Sequence, residues 1–292
     1  MNRFVLPLFL AVASGALRAQ PAIDKQIDVF GQKIHYVEAG AGPAVILLHG
    51  LGGDVTNWGQ NIPALAPKYH VFAIDQIGFG KSDKPTINFR IETLVEFLDA
   101  FCRKLEISKA AVVGNSLGGW TAMAFTLAHP EKVSRLVLVD SAGYSLEKQG
   151  RKASREEMLA LNPSTLLQAK LVLNMILANK QMITDGLAQQ FFAQHLSRND
   201  GYTINAFIDS ILRDEDVVDG RLGAIKVPTL IVWGREDLLV PLNNGSMLAQ
   251  DIAGSEMVVM DHCGHVPMIE CAQPFNAALL KFLAADGMQS SK

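Results

Sequence analysis

The sequence has 292 residues, of which 49% are hydrophobic and 19% are charged, so the chain can bury a substantial core. Its formal net charge at pH 7 is −3, from 26 basic and 29 acidic residues. This balance argues against nucleic-acid binding, which needs a basic surface, and it does not indicate a strongly charged partner. The composition therefore predicts a soluble globular protein.

The first nineteen residues have the pattern of a secretory signal peptide. Arg3 supplies a short positive region, FVLPLFLAVA supplies an apolar run, and SGALRA supplies the small residues of a cleavage region. Cleavage after Ala16 and cleavage after Ala19 fit equally well. The apolar run is too short to span a bilayer comfortably. We therefore predict that residues 1–19 are removed and that the mature protein is exported, periplasmic or secreted, without a stable membrane span.

The predicted strands are of two kinds. Residues 27–40 alternate apolar and polar side chains around Gly31 and Gln32, which predicts two antiparallel strands joined by a tight turn. The later strands are predicted from short continuous apolar runs, which suit strands buried on both faces of a parallel sheet. These runs are AVILLHG (44–50), HVFAID (70–75), AAVVGNS (110–116), RLVLVDSAG (135–143), PTLIVWG (228–234) and EMVVMDH (256–262).

Helical patterns lie between most of these runs. In residues 89–107 the apolar side chains recur at the spacing of one helix face, and residues 117–128 predict a helix that ends at His129 and Pro130. Alternating strands and helices predict an α/β fold, with a mostly parallel sheet flanked by helices.

One long segment, residues 144–220, interrupts the alternation. It contains no predicted strand, but its apolar residues recur at helical spacing, which predicts a helical insertion. The remaining core is then predicted to comprise residues 20–143 and 221–287.

Three polar side chains are predicted to meet at one edge of the sheet, where the carboxyl ends of parallel strands lie. Ser116 follows one strand in the frame Gly-Asn-Ser-Leu-Gly, Asp237 follows a second strand, and His265 follows the last. A serine hydroxyl needs a base to take its proton, and a histidine oriented by a carboxylate can do so near neutral pH. The order serine, acid, histidine predicts a catalytic triad. Asp140, at the end of another strand, is the alternative acid.

Two backbone N–H groups at the same edge are predicted to form an oxyanion hole. Leu117 begins the helix behind the serine, and Leu51 lies in the loop after VILLHG. His49 in that loop is predicted to form structural hydrogen bonds. The sequence has neither a histidine or cysteine cluster typical of a metal site nor a glycine-rich phosphate loop, so we predict no metal and no cofactor.

Five motifs in order give the chain a resemblance to the α/β-hydrolase superfamily: LLHGLGG, DQIGFGKSDKP, GNSLGG, WGREDLLVP and GHVPMIECAQPFN. The resemblance implies an α/β-hydrolase fold in which residues 144–220 form a cap over the active site. Its GH-x-P setting favours His265 over His262 as the base. Ser116 at the elbow distinguishes the chain from haloalkane dehalogenases and epoxide hydrolases of this fold, which need an aspartate there.

A serine triad with an oxyanion hole favours ester hydrolysis, so we predict a carboxylesterase acting on small to medium uncharged esters through an acyl-enzyme. The elbow also resembles that of carbon–carbon hydrolases of aromatic ring-fission products, in which Asn115 would lie beside the nucleophile. Those hydrolases carry a cap arginine and a tryptophan after the histidine, where this chain has Phe191 and Val266. Carbon–carbon hydrolysis is the alternative, and a hydrolase-like ligand-binding protein with little turnover is another.

The apolar residues of the predicted insertion suggest a pocket for this small-molecule substrate. Met175, Phe191 and Phe192 are the residues that we expect to line it, the alternative being that they pack the insertion onto itself.

The three cysteines and the other histidines are predicted to have structural roles. Cys102 lies on an apolar helix face and is predicted to be a core residue, whereas Cys263 and Cys271 could form a disulfide in an exported protein. Four further histidines show no spacing to a partner and are predicted to be structural: His35, His70, His129 and His195.

Overall fold

The structure, a computed structural model, describes residues 22–285. The predicted signal peptide, residues 1–19, lies outside this range. Within it, no helix combines the length and the apolar character that crossing a membrane requires. The described range includes the whole predicted insertion and nearly all of the predicted core.

All eight strands of the described chain belong to one sheet: β1 (Ile23–Val29), β2 (Gln32–Ala39), β3 (Ala44–Leu48), β4 (His70–Ile74), β5 (Ala110–Asn115), β6 (Val133–Val139), β7 (Thr229–Gly234) and β8 (Glu256–Met260). Their order across the sheet is β1-β2-β4-β3-β5-β6-β7-β8. Strand β2 pairs antiparallel with β1 and with β4, and all other neighbours pair parallel. The predicted hairpin and mostly parallel sheet are confirmed.

The helices are α1 (Ile62–Leu65), α2 (Ile91–Lys104), α3 (Leu117–Ala128), α4 (Arg155–Leu159), α5 (Leu166–Ile176), α6 (Asp185–Arg198), α7 (Gly201–Leu212), α8 (Leu242–Asp251), α9 (Pro267–Glu270) and α10 (Ala272–Ala284). They cover both faces of the sheet. Ile46 and Leu48 of β3 belong to the hydrophobic cluster of α2, α3 and α8, whereas Val45 and Leu47 belong to that of α1 and α10. Successive strand residues point to opposite faces, so helices on both sides produce a three-layer fold.

The helical insertion, residues 144–220, joins β6 to β7 and contains α4, α5, α6 and α7 with no strand. It packs on the rest of the protein mainly through α7, whose Ile204, Phe207 and Ile208 belong to a core cluster. Helices α5 and α6 share a small cluster of their own that also contacts Val266, in the loop after β8. The insertion therefore lies beside the carboxyl ends of the parallel strands.

The turn between β5 and α3 has no room for side chains at two glycines. A β-carbon on Gly114 would lie 2.1 Å from the carbonyl oxygen of Gly118, and a β-carbon on Gly118 would lie 2.3 Å from that of Leu48. These neighbours are backbone atoms, which cannot rotate away as a side chain can. The two glycines therefore allow β3, β5 and α3 to approach closely.

Gly114→Ala should lower the free energy of unfolding by about 2 kcal/mol or more, because the added methyl group forces two backbone segments apart. Gly223→Ala is the matched control, since a β-carbon there would meet nothing within 4 Å. Urea denaturation of both variants measures the difference. Equal stability of the two variants would contradict the lack of space for a β-carbon at Gly114.

Candidate active site

Ser116 occupies the turn between β5 and α3 in a strained backbone conformation, with φ 55° and ψ −117°. A positive φ is unusual for a serine and costs on the order of 1–3 kcal/mol, so the surrounding contacts must hold it. Its N–H donates to the carbonyl oxygen of Val139 at 3.0 Å, and its carbonyl accepts from the N–H groups of Trp120 at 3.1 Å and Ala142 at 3.2 Å. These bonds fix Ser116 at the carboxyl end of β5.

A cavity of about 370 Å³ lies against Ser116. Its walls come from the loops that follow β3, β5 and β8 and from the helical insertion. Most of the lining side chains are apolar, as in many small-molecule sites. The predicted site residues that line it are Leu51, Asn115, Ser116, Leu117, Phe191, His265 and Val266.

His265 and Asp237 form a buried hydrogen bond. Nδ1 of His265 lies 2.7 Å from Oδ2 of Asp237. The other carboxylate oxygen, Oδ1, accepts the N–H groups of Leu239 at 2.8 Å and Val240 at 3.0 Å. An ionised carboxylate only accepts, so the proton of the neutral imidazole lies on Nδ1 and leaves Nε2 as an acceptor.

Asp140, the alternative acid, lies in the same cluster but makes different contacts. A carboxylate oxygen of Asp140, a carboxylate oxygen of Asp237 and a ring nitrogen of His265 all lie within 4.8 Å of one another. Oδ1 of Asp140 accepts the N–H of Gly234 at 2.8 Å, while Oδ2 has no hydrogen-bond partner among residues 22–285. Complete burial, and then the charge of Asp237, raise the pKa of Asp140 well above its usual value. Its surroundings therefore favour the protonated form of Asp140, while Asp237 is the carboxylate that contacts His265.

The backbone N–H groups of Leu51 and Leu117 are free to donate. Both residues line the cavity, and neither amide has an acceptor in the described part of the chain. Leu117 is the first residue of α3, where the N–H groups have no intrahelical acceptor and the helix dipole is positive. The two amides are thus able to donate to a negative oxygen, and the oxyanion hole itself stays a prediction.

His49 supports the loop that carries Leu51. Its Nδ1 lies 2.7 Å from the carbonyl oxygen of Gly50, and its Nε2 accepts the N–H of Gln76 at 3.1 Å. Burial lowers the pKa of His49, so the ring is neutral and can donate at one nitrogen while it accepts at the other. We interpret His49 as a structural hydrogen-bonder.

Asn115 joins the turn at Ser116 to the loop of His265. Its Nδ2 donates to the carbonyl oxygens of Val139 at 3.1 Å and His265 at 3.0 Å. The side chain also lines the cavity beside Ser116. The amide therefore fixes the spacing between the predicted nucleophile and the predicted base.

Two of the predicted pocket residues, Met175 and Phe192, do not line the cavity. Neighbouring positions on a helix point about 100° apart, so only one face of α5 and one face of α6 can meet it. Phe191 lies on the facing side of α6, and the adjacent Phe192 points elsewhere. The expectation for Met175 and Phe192 is corrected accordingly.

Arg198, which the sequence did not indicate as a site residue, ties the insertion to the loop after β3. Its Nε and Nη2 donate to Oδ2 of Asp54 at 2.9 Å and 2.6 Å, and its Nη1 donates to the carbonyl oxygen of Gly52 at 2.7 Å. Arg198 also lowers the pKa of the partly buried Asp54, against the effect of burial. No sequence motif indicates this pair, because its partners lie 144 residues apart.

The remaining predictions concern single residues near the site. Cys263 and Cys271 form a disulfide with a Cα–Cα distance of 6.2 Å, which closes the loop that carries His265, and Cys102 is buried and free. His262 is exposed on that loop and does not line the cavity. His195, predicted to be structural, does line it.

Two other predicted structural histidines make contacts away from the cavity. Nδ1 of His35 lies 2.7 Å from Asp75, and Nε2 of His70 lies 2.9 Å from Glu38.

Comparison with known proteins identifies the family of the chain. The model of the alpha/beta hydrolase fold family matches residues 43–201 and 185–272. The chain belongs to the α/β-hydrolase family. It is 36% identical over 268 residues to a 2-hydroxy-6-oxononadienedioate/2-hydroxy-6-oxononatrienedioate hydrolase of Escherichia coli, a match that covers 86% of this chain and 91% of that protein.

Two solved α/β-hydrolase structures are also similar. A meta-cleavage product hydrolase from Pseudomonas fluorescens IP01 has a TM-score of 0.79 and 29% identity, covering 89% of this chain and 97% of the other. An esterase from Exiguobacterium antarcticum has a TM-score of 0.80 and 25% identity, covering 90% and 100%. This chain is thus a hydrolase, with a meta-cleavage product hydrolase and an esterase among its structural neighbours.

The pKa of Asp140 generates a prediction about stability. An aspartate in the unfolded chain ionises near pH 4, whereas the raised pKa of folded Asp140 lets it keep its proton to a higher pH. Between the unfolded pKa and the folded pKa, the folded state therefore binds more protons than the unfolded state. Stability should therefore fall with rising pH in this interval, and Asp140→Asn should remove that part of the fall.

Thermal unfolding of the wild type and of the Asp140→Asn variant, measured from about pH 5 to about pH 8, checks the expectation. The wild type should lose stability relative to the variant as the pH rises. Parallel curves would contradict a raised pKa for Asp140.

Proposed function

We propose that the protein is a serine hydrolase in which Ser116 attacks a carbonyl carbon and His265 takes the serine proton. Asp237 orients the imidazole and stabilises its cation, and the N–H groups of Leu51 and Leu117 bind the oxyanion. The observation that carries the proposal is the buried 2.7 Å contact between His265 and Asp237 beside a cavity that Ser116 also lines. In this proposal the helical insertion acts as a cap.

The first candidate reaction is the cleavage of a carbon–carbon bond next to a carbonyl group, in a substrate that carries a carboxylate. The Escherichia coli relative is named for hydrolysing a dienedioate, and the Pseudomonas structure for hydrolysing a meta-cleavage product. Asn115 beside the nucleophile also fits the resemblance to carbon–carbon hydrolases. We therefore rank this reaction above the ester hydrolysis that the sequence alone favoured.

The charges at the cavity support an anionic substrate. None of its lining residues within the described chain is acidic, whereas Arg151 and Arg198 both line it. Arg198 is paired with Asp54. Arg151 donates from Nη1 to the carbonyl oxygen of Leu239 at 3.1 Å and has no carboxylate partner within residues 22–285. Most of its donors thus remain available for a substrate carboxylate.

Both reactions use the same three side chains. Attack by Ser116 on an ester or on a ketone forms a tetrahedral adduct with a negative oxygen, so the oxyanion hole serves either substrate. The difference lies in the leaving group, because an alkoxide oxygen or a carbanion carbon must receive the proton that His265 has taken. Water then releases the acyl group from Ser116.

Ester hydrolysis is the second candidate, and Phe191 is the observation that favours it. Phe191 lines the cavity where carbon–carbon hydrolases of this family would be expected to carry a cap arginine. A phenyl ring there suits an uncharged acyl chain better than a carboxylate. The esterase from Exiguobacterium antarcticum has a similar structure. A ligand-binding protein would differ from both candidates in lacking repeated turnover.

Ser116→Ala should remove nearly all turnover and leave the fold intact, because the side chain contributes a nucleophile rather than packing. The loss in kcat should be of order 10³-fold or more. Single-turnover and multiple-turnover assays, with a fluorophosphonate probe for the serine, check this. Activity within tenfold of the wild type, or probe labelling of the folded variant, would exclude Ser116 as the nucleophile.

Substrate charge can be tested with a matched pair, a 2-hydroxy-6-oxo-dienoate and a neutral p-nitrophenyl ester. Arg151→Gln should lower kcat/KM for the dienoate by roughly tenfold and spare the ester, because one charge-assisted contact is lost. Phe191→Arg should raise the kcat/KM for the dienoate relative to that for the ester, because it adds a positive charge to the cavity.

Arg155→Gln is the matched control, because Arg155 is paired with Asp209 and does not line the cavity. Its ratio of the two kcat/KM values should equal that of the wild type. A wild type that hydrolyses the ester and ignores the dienoate would favour the esterase candidate. An unchanged ratio in folded Arg151→Gln would remove Arg151 from substrate binding.

A further inference from the structure

The carboxylate of Glu270 joins the loop of His265 to the helical insertion. Its Oε2 accepts the N–H of Gly264 at 2.8 Å, directly before the predicted base. The same carboxylate accepts the N–H of Ala178 at 3.0 Å and 3.1 Å and the N–H of Asn179 at 3.1 Å. Ala178 and Asn179 follow α5, so one side chain holds two segments that lie about 90 residues apart in the chain.

A second contact joins the same two segments without any side chain. The N–H of His265 donates to the carbonyl oxygen of Ile176, the last residue of α5, at 2.8 Å. The fit is tight, since a β-carbon on Gly264 would lie 2.4 Å from that oxygen and 2.9 Å from the nitrogen of Ala178. The insertion therefore contacts the backbone of His265 itself.

This attachment links the cavity wall to the base. Ile176 and Leu177 line the cavity together with His265. The ring of His265 is fixed at Nδ1 by Asp237, so a shift of its backbone would tilt the ring and displace Nε2. If α5 moved away from the loop, His265 would lose its contact with Ile176 at the same time.

We propose that Glu270 is a positioning residue that couples the α5 wall of the cavity to His265. By holding the end of α5 against Gly264, it keeps the His265–Ile176 hydrogen bond closed and Nε2 directed at the cavity. Correct placement of the base then depends on the position of the insertion. The proposal rests on the proposed function only in taking His265 as the base.

Glu270→Gln tests the proposal, because the amide keeps the size of the side chain but presents an N–H₂ group to at least one backbone donor. Glu236→Gln is the matched control. The carboxylate of Glu236 accepts the N–H of Cys263 at 3.1 Å, and Cys263 lies in the same loop as His265. It makes no hydrogen bond to the insertion within the described residues.

With a short ester such as p-nitrophenyl acetate, Glu270→Gln should lower kcat about tenfold or more while KM changes little, because the defect lies in the base. Glu236→Gln should stay within threefold of the wild type. A folded Glu270→Gln variant with unchanged kcat would overturn the proposal.

Hydrogen exchange at the amide of His265 provides a readout that needs no turnover. Glu270 does not contact this amide, so faster exchange in Glu270→Gln reports that the bond to Ile176 opens. Exchange equal to that of the wild type would contradict the coupling. A wild type that lacks turnover altogether would contradict the proposed function instead, and the exchange measurement would still decide the role of Glu270.

Discussion

The close approach of β3, β5 and α3 at the turn of Ser116 is the constraint on which the site depends. Gly114 and Gly118 permit it, and no larger residue fits at either position. The approach holds Ser116 at a positive φ against an intrinsic cost, and it brings Leu117 to the start of α3 with its N–H free. Asn115 then extends the constraint to the next loop by donating to the carbonyl of His265. The proposed nucleophile, the proposed oxyanion donor and the proposed base thus derive their positions from one close approach of the backbone.

Two buried carboxyl groups beside His265 raise the question of which one carries the charge. Asp237 receives two backbone N–H groups and the imidazole, whereas Asp140 receives one N–H and has an oxygen without a partner in the described chain. Hydrogen bonds to a carboxylate favour its ionised form, and burial without them favours the protonated form. The count of donors therefore assigns the charge to Asp237. The protonated Asp140 avoids a second buried charge next to the first.

The sequence predicted the sheet and the grouping of Ser116, Asp237 and His265 because strand runs and turn glycines are local signals. Several predicted runs extend past the strand ends, at residues such as Asp75 and Asp140, whose carboxylates accept the backbone N–H groups of Val55 and Gly234. Helical periodicity in the insertion predicted helices, yet it did not decide which face meets the cavity, so Met175 and Phe192 were misplaced. Glu270 and Arg198 could not be predicted, because their main partners are backbone groups or an acid in distant segments.

The insertion is attached to the two loops that carry Leu51 and His265, both of which have a role in the proposed mechanism. Arg198 holds the end of α6 to Asp54 and Gly52 in the loop after β3, and Glu270 holds the end of α5 to Gly264 in the loop that carries His265. The Arg198–Asp54 pair is largely buried, so loss of one partner would leave an uncompensated charge, at a cost of about 3–5 kcal/mol. Helices that shape the substrate cavity therefore also brace the groups that would act on the substrate. A sequence change in α5 or α6 that alters the cavity should consequently affect the rate of the chemical step as well as binding.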